Sequence, residues 1–165
     1  MKKYFFLLVF TVSLISACSS DETTTYYLIR HAEKDRTDKA NKNPNLSEKG
    51  LKRAQRWATY FADINLDAVY ATKYNRTMQT AKPTSESKKL EIKTYHTSKM
   101  YDSIFQKETK GKTVLIVGHS NTTPFFTNNI LAEKKYKDMD DNDNASLYIV
   151  MITADKKTSS IVKVD

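Results

Sequence analysis

The chain has 165 residues, of which 39% are hydrophobic and 28% charged, with a net charge of +8. That length allows one domain with a real core and is too short for two, and the composition excludes both wholesale disorder and a multi-span membrane protein. The positive balance suits an anionic partner, but no dense basic run with interleaved aromatics is present, so nucleic acid is not expected as one.

From the N-terminus, Lys2 and Lys3 precede an apolar stretch, Tyr4 to Ile15, that is too short to span a bilayer. Ile15-Ser16-Ala17-Cys18 follows, with small residues ahead of the chain's one cysteine. This resembles the lipobox of bacterial lipoproteins. The resemblance implies that residues 1–18 are an export signal ending at a lipidated Cys18. The protein would then sit in the bacterial cell envelope, anchored by lipid to the periplasmic or outer face of a membrane. A cleaved leader with an incidental cysteine explains the lone thiol less well. Residues 19–24 are polar and aperiodic and read as a tether, which leaves 25–165 as a single domain.

Within that domain, apolar runs at Tyr26 to Arg30, Ala68 to Ala71, Leu90 to Tyr95 and Val114 to Gly118 read as strands. Ser47 can cap a helix carrying Leu51, Ala54, Ala58 and Phe61 at helical spacing, with Glu48 in its first turn. Asn75 to Lys89 is a second helical pattern, expected to break or kink near Pro83. Ser98 to Lys110 is a third, closed by Gly111. Thr123 and Pro124 suit the cap and first position of a fourth. Glu133 to Asn144 is a charged loop read as solvated. Ala145 to Thr153 and Ser159 to Val164 read as an edge hairpin. Alternating strands and helices predict an α/β fold: a three-layer α/β/α sandwich with a mostly parallel sheet and an antiparallel edge.

In open parallel sheets, ligands bind beyond the carboxyl ends of the strands. The first strand ends in Arg30-His31-Ala32-Glu33, and Thr72, Lys73 and Arg76 follow the second. The third ends at Tyr95-His96, and the fourth at Gly118-His119-Ser120-Asn121. All three histidines of the chain therefore fall on one rim with two arginines, which scattered structural histidines would not do.

These segments resemble the histidine phosphatase superfamily, in its phosphoglycerate mutase-like branch 1. Leu28 to Glu33 is similar to its Arg-His-Gly signature, with Ala32 in the glycine place. Leu46 to Ala54 resembles its Leu-Ser/Thr…Gly…Ala helix start. Tyr70 to Ala81 resembles the arginine-bearing segment, and Gly118 to Thr122 the second histidine. The resemblance implies a phosphoglycerate mutase-like fold. It makes His31 the nucleophile, and Arg30, Arg76 and His119 the rest of the catalytic, phosphate-binding set.

A phosphate monoester is a dianion whose transfer needs positioning and charge stabilisation. Two arginine forks can each grip two phosphoryl oxygens, and His119 can donate to a third. His31 must attack as neutral imidazole, giving a phosphohistidine that water then hydrolyses. No metal or other cofactor is required by this scheme. The leaving oxygen needs a proton, and the candidate donors are His96, then Asp102 and Glu33.

Two other motifs fail. Gly111-Lys112-Thr113 lacks the earlier glycine of a P-loop and precedes a strand. Asp138, Asp140 and Asn142 begin like a calcium loop, but position six is Asp143 and position twelve Ile149. The expected function is a metal-independent phosphatase acting on phosphate esters or phosphohistidine, with a small phosphorylated molecule or a phosphoprotein as substrate. The alternative is a non-catalytic, phosphate-binding lipoprotein on the same fold. A glycolytic mutase is argued against by the export signal and by the short segment between Arg76 and His119, which leaves no room for a large lid.

Overall fold

The computed structural model describes residues 22–154 and 156–164, so the expected export signal, Cys18 and the start of the tether lie outside the described residues. The elements are β1 (Thr24–Arg30), α1 (Glu48–Tyr60), β2 (Ala68–Ala71), α2 (Asn75–Lys88) and β3 (Ile92–Thr94), followed by α3 (Ser103–Thr109), β4 (Thr113–Gly118), α4 (Thr122–Leu131), β5 (Ser146–Ile152) and β6 (Lys157–Lys163). They form one sheet in the order β3-β2-β4-β1-β5-β6. The first four strands of that order are parallel; β5 and β6 close the edge antiparallel. This is the three-layer α/β/α architecture that the alternation predicts.

The sheet is coated on both faces. Tyr26, Leu28, Val114 and Ile116 pack with Phe105 of α3 and with Phe126 and Ile130 of α4. By strand alternation, Ile29, Leu115 and Val117 point the other way, onto Trp57 of α1, Phe61 just beyond it and Ala81 of α2. Central strands buried on both faces read as continuous apolar runs, which is why β1 and β4 are legible in the sequence.

The chain leaves β1 toward the α1/α2 face and leaves β4 toward the α3/α4 face. Between these neighbouring strands a crevice opens at their carboxyl ends, the switch point where α/β sheets bind ligands. The register Arg30 to Gly118 sets the ends of β1 and β4 level, and the His31 amide extends the ladder onto the Gly118 carbonyl at 2.9 Å.

Several local expectations are corrected. β1 starts at Thr24, inside the predicted tether, because the Thr24 hydroxyl accepts from the Gly111 amide at 2.8 Å and the Thr25 amide donates to Lys112. Helix α2 runs unbroken through Pro83. The proline removes the donor for the Gln79 carbonyl, but buried Thr80, Ala81, Thr84 and Ser85 hold the helix in place on both sides. The third helix is shorter than predicted. Thr97–Lys99 forms a 3-10 turn capped by His96, and α3 starts only after Asp102, whose carboxylate accepts from the Phe105 amide at 2.9 Å. In α4, Asn121 is the cap and Pro124 is the third helical residue, where a missing N–H still leaves no helical acceptor unserved.

Helix α1 begins at the predicted cap, but its buried face is Gly50, Arg53, Ala54 and Trp57, and Leu51 is 50% exposed. Gly50 sets this rotation: a Cβ there would lie 2.1 Å from the Glu33 carbonyl oxygen. The first turn of α1 is thus pressed against the loop that follows His31. Ser47 clamps the same contact, its amide donating to the Glu33 carbonyl at 2.9 Å and its hydroxyl at 3.1 Å.

Candidate active site

Arg30, His31, Arg76 and His119 line one cavity of about 360 Å³, together with Lys34, Tyr74, Thr97, Asn121 and Asp141. Each comes from a strand end or the helix turn after it. Gly118 lets the two layers meet here, since a Cβ would stand 2.8 Å from the Thr122 hydroxyl and 3.0 Å from those of Thr123 and Tyr95. The Thr122 hydroxyl accepts from the His119 amide at 2.9 Å, and the Thr123 hydroxyl donates to the Ile29 carbonyl at 3.2 Å. The start of α4 is in this way tied to the ends of both central strands.

His31 is 4% exposed. Its Nδ1 lies 2.7 Å from the Ala32 carbonyl oxygen, which can only accept, so Nδ1 carries the hydrogen and Nε2 the lone pair. Burial, with help from the cations of Arg30 and Arg76 and from His119, pushes the imidazole pKa down to about 3, against the opposing pull of the Ala32 carbonyl. The loop around it is braced. The Ala32 amide donates to the Thr80 hydroxyl at 2.9 Å, and Asn144 donates to the His31 carbonyl at 2.8 Å. Ala32 is fully buried without a left-handed backbone, so alanine fits where the family signature has glycine.

His119 stands beside it, with ring centroids 5.4 Å apart. Its Nδ1 is 3.4 Å from an Arg76 nitrogen that can only donate, so Nε2–H donates to the Thr72 hydroxyl at 2.9 Å. Thr72 passes its own proton toward Thr77 at 3.1 Å, and Thr77 donates to the Thr72 carbonyl at 2.7 Å. Burial, then Arg76 and Arg30, lower the His119 pKa to about 4. In this state His119 accepts from Arg76. To be the donor expected from the sequence, His119 would have to take up a proton at Nδ1, which a bound dianion offsetting those cations would favour.

Arg76 stacks on Tyr74, with its guanidinium carbon 4.5 Å from the ring centroid. Among the described residues its Nε and Nη1 are buried without a hydrogen-bond partner, as is Nε of Arg30. Guanidinium groups with unspent donors beside a histidine-lined cavity suit an oxyanion. Arg30 is otherwise engaged by the loop after α4: Nη1 donates to the Asp140 carbonyl at 2.9 Å, and Nη2 pairs with Asp141 at 2.6 Å. Asp141 also pairs with Arg36 at 2.6 Å, and hydrogen bonds from Arg36 and Arg30 hold its carboxyl below the usual range. The predicted solvated loop is therefore part of the site. Its signal was topological, because an antiparallel β5 beside β1 must begin where β1 ends.

None of the three candidate proton donors lines this cavity, although Glu33 lines an adjoining hollow with Arg30, His31, Lys34 and Asp141. His96 is exposed, with Nδ1 2.7 Å from the Ser98 hydroxyl, and Asp102 is occupied as a helix cap. Glu33 meets Arg53 at 3.0 Å through both oxygens and Lys49 at 3.5 Å. Burial raises its pKa, but its own amide, Arg53 and Lys49 more than reverse this, so it is an ionised brace. Among the described residues, no group of three or more His, Cys, Asp or Glu side chains is placed to hold a metal ion.

This is a phosphoglycerate mutase-like fold with a paired-histidine, paired-arginine site at its switch point. Residues 26–99 match the family model of the histidine phosphatase superfamily (branch 1), which spans β1, Arg30, His31 and Arg76. The fold is similar to a phosphoglycerate mutase from Bacillus anthracis, with a TM-score of 0.66 and 16% identity over 86% of this chain and 93% of that one. It is also similar to Agrobacterium tumefaciens SixA, there proposed to be a phosphohistidine phosphatase, with a TM-score of 0.63 and 17% identity over 84% of this chain and 97% of that one. A phosphoserine phosphatase from Entamoeba histolytica, in complex with phosphoserine, gives 0.65 and 14% identity over 84% and 96%. No curated protein matches in sequence. The likeness to the histidine phosphatase superfamily is thus carried by residues 26–99, and the likeness beyond them is one of fold.

Proposed function

We propose that this protein is a phosphatase that hydrolyses phosphate monoesters or phosphohistidine through a phosphohistidine on His31, with no metal in the mechanism. The observation that carries this reading is the fixed tautomer of His31, whose Nδ1–H is spent on Ala32, beside buried arginine donors that have no partner among the described residues. The phosphoryl group docks on Arg76, Arg30 and His119. Nε2 attacks phosphorus as the ester P–O bond breaks, and the developing charge on the three peripheral oxygens falls on the guanidinium donors. Water then attacks phosphorus, the P–N bond breaks, and inorganic phosphate leaves with His31 again neutral.

The departing oxygen takes its proton from Lys34 in this reading, and Lys34 recovers one from the water that hydrolyses the phosphohistidine. Lys34 lines the cavity, and among the described residues its ammonium makes no salt bridge, although Asp141 is near enough to act on it. Burial, then Arg36 and Arg76, lower its pKa against the opposing pull of Asp141 and so favour release of the proton. Asp141 lines the cavity as well, but its two arginine partners keep it ionised.

The test is turnover of p-nitrophenyl phosphate by the purified protein in excess chelator, beside His31→Ala. Chelator-resistant turnover with an acid-labile phosphoenzyme, both lost in the variant, is expected. No turnover and no phosphoenzyme in the wild type would favour the phosphate-binding alternative. Loss of turnover in chelator would rule out the metal-free scheme. Lys34→Met is expected to slow alkyl phosphates more than p-nitrophenyl phosphate, whose leaving group needs little protonation. Export and lipidation at Cys18 belong to the same proposal, with the membrane as partner; Cys18→Ala should release the protein from the membrane fraction.

A further inference from the structure

The site is one end of a longer depression. Thr97, Asn121 and Thr122 line both the phosphate cavity and a second hollow of about 310 Å³. That hollow in turn shares Met100 and Phe125 with a third, of about 760 Å³. The α4 residues along the way are Asn121, Thr122, Phe125, Asn128, Asn129 and Ala132. Steps of three and four residues fall on one helix face, so the trough follows the length of α4. From Thr122 to Ala132 that is about 15 Å at about 1.5 Å per residue.

The walls change character along this path. At the amino end of α4 the lining is cationic and polar, and the helix dipole adds to the pull on an anion. At the far end Met100, Tyr101, Phe125 and Tyr136 dominate, with Lys134 and Lys157 also in the lining. Phe125 is 54% exposed on the rim, an unfavourable place for a phenyl ring that nothing covers. Tyr101 adopts φ +61, a conformation uncommon for a bulky residue, while its ring meets Tyr26 edge-on at 6.0 Å. Backbone strain is thus tolerated where the wall of the trough is built.

We infer that the substrate is an amphiphilic phosphate monoester, its phosphate held by Arg30 and Arg76 and its apolar body lying along α4 as far as the Met100–Tyr101–Tyr136 hollow. This rests on the phosphatase reading for the position of the phosphate. A small sugar phosphate or phosphoamino acid would leave the trough empty. A phosphopeptide would bring backbone amides and carbonyls against the thioether and rings of the far wall, where Asn128 and Lys157 already spend hydrogen bonds on the Tyr136 and Ile130 carbonyls.

The test measures kcat/KM for linear alkyl phosphates from methyl to decyl, below their micelle concentrations, with p-nitrophenyl phosphate as the short reference. Each buried methylene is worth about fourfold. An open trough realises part of this, and a rise on the order of tenfold or more from butyl to decyl is expected. Phe125→Asp should flatten the series and leave turnover of p-nitrophenyl phosphate unchanged. Calorimetric binding of methyl and decyl phosphonates, which cannot be hydrolysed, reads the trough without catalysis and so separates its failure from that of the phosphatase reading. A flat series with intact p-nitrophenyl phosphate turnover, equal affinity for the two phosphonates, or a phosphoserine peptide outpacing decyl phosphate would each overturn the inference.

Discussion

The depressed pKa of His31 makes a stability prediction that does not depend on catalysis. The unfolded chain carries a histidine of ordinary pKa, about 6.5, whereas the folded site holds it at about 3. Above pH 6.5 neither state binds the proton, and the group is silent. Below it the unfolded chain takes up a proton that the fold refuses, so stability falls as pH falls, until about pH 3. At about pH 4.5 the accumulated loss is about 2–3 kcal/mol, at about 1.36 kcal/mol for each pH unit crossed. Replacing the residue with asparagine, whose amide can still donate to the Ala32 carbonyl, removes this proton linkage. Urea denaturation followed through the buried Trp57 measures the effect at about pH 7.5 and 4.5. Wild type should lose about 2–3 kcal/mol more than His31→Asn across that interval. Equal losses in the two proteins would refute the picture of a neutral, desolvated imidazole among cations.

Other consequences concern the clamp and its braces. Arg76→Ala should weaken inhibition by inorganic phosphate by about 100-fold to 10,000-fold, because two charge-assisted hydrogen bonds at about 1.5–3 kcal/mol each are lost. Arg76→Lys should not restore it, since an ammonium cannot fork. Thr72→Val should lower kcat about tenfold while costing only about 1 kcal/mol of stability, because it unfastens the His119 Nε2–H; matched kinetics and melting curves read the two effects separately. Glu33→Gln should destabilise the fold by about 1–3 kcal/mol through Arg53, yet leave the shape of the pH–rate profile unchanged, which separates a brace from an acid.

The sequence by itself determined the architecture and which two arginines and two histidines come together at one rim. Central parallel strands are continuous apolar runs, and ligand-facing residues must follow them, so Arg30, His31, Arg76 and His119 could be located by position alone. The Ser47 cap and the Gly50 close approach also left local marks in the chain. What only the tertiary structure decided was the role of each polar side chain near the rim. His96, Asp102 and Glu33 have the right chemistry for a proton donor, but a turn, a helix end and Arg53 engage them first. Asp141 and Asn144 come from a loop that reads as solvent-facing, and they reach His31 and Arg30 because β5 pairs antiparallel with β1. The neutral charge of His31 was expected, but its tautomer was hidden. The residue type allows either one, and only the carbonyl at 2.7 Å selects the ring with a free Nε2, while burial and the surrounding cations keep it neutral. Periodicity records which face a residue takes along the chain; long-range contacts decide what it meets there.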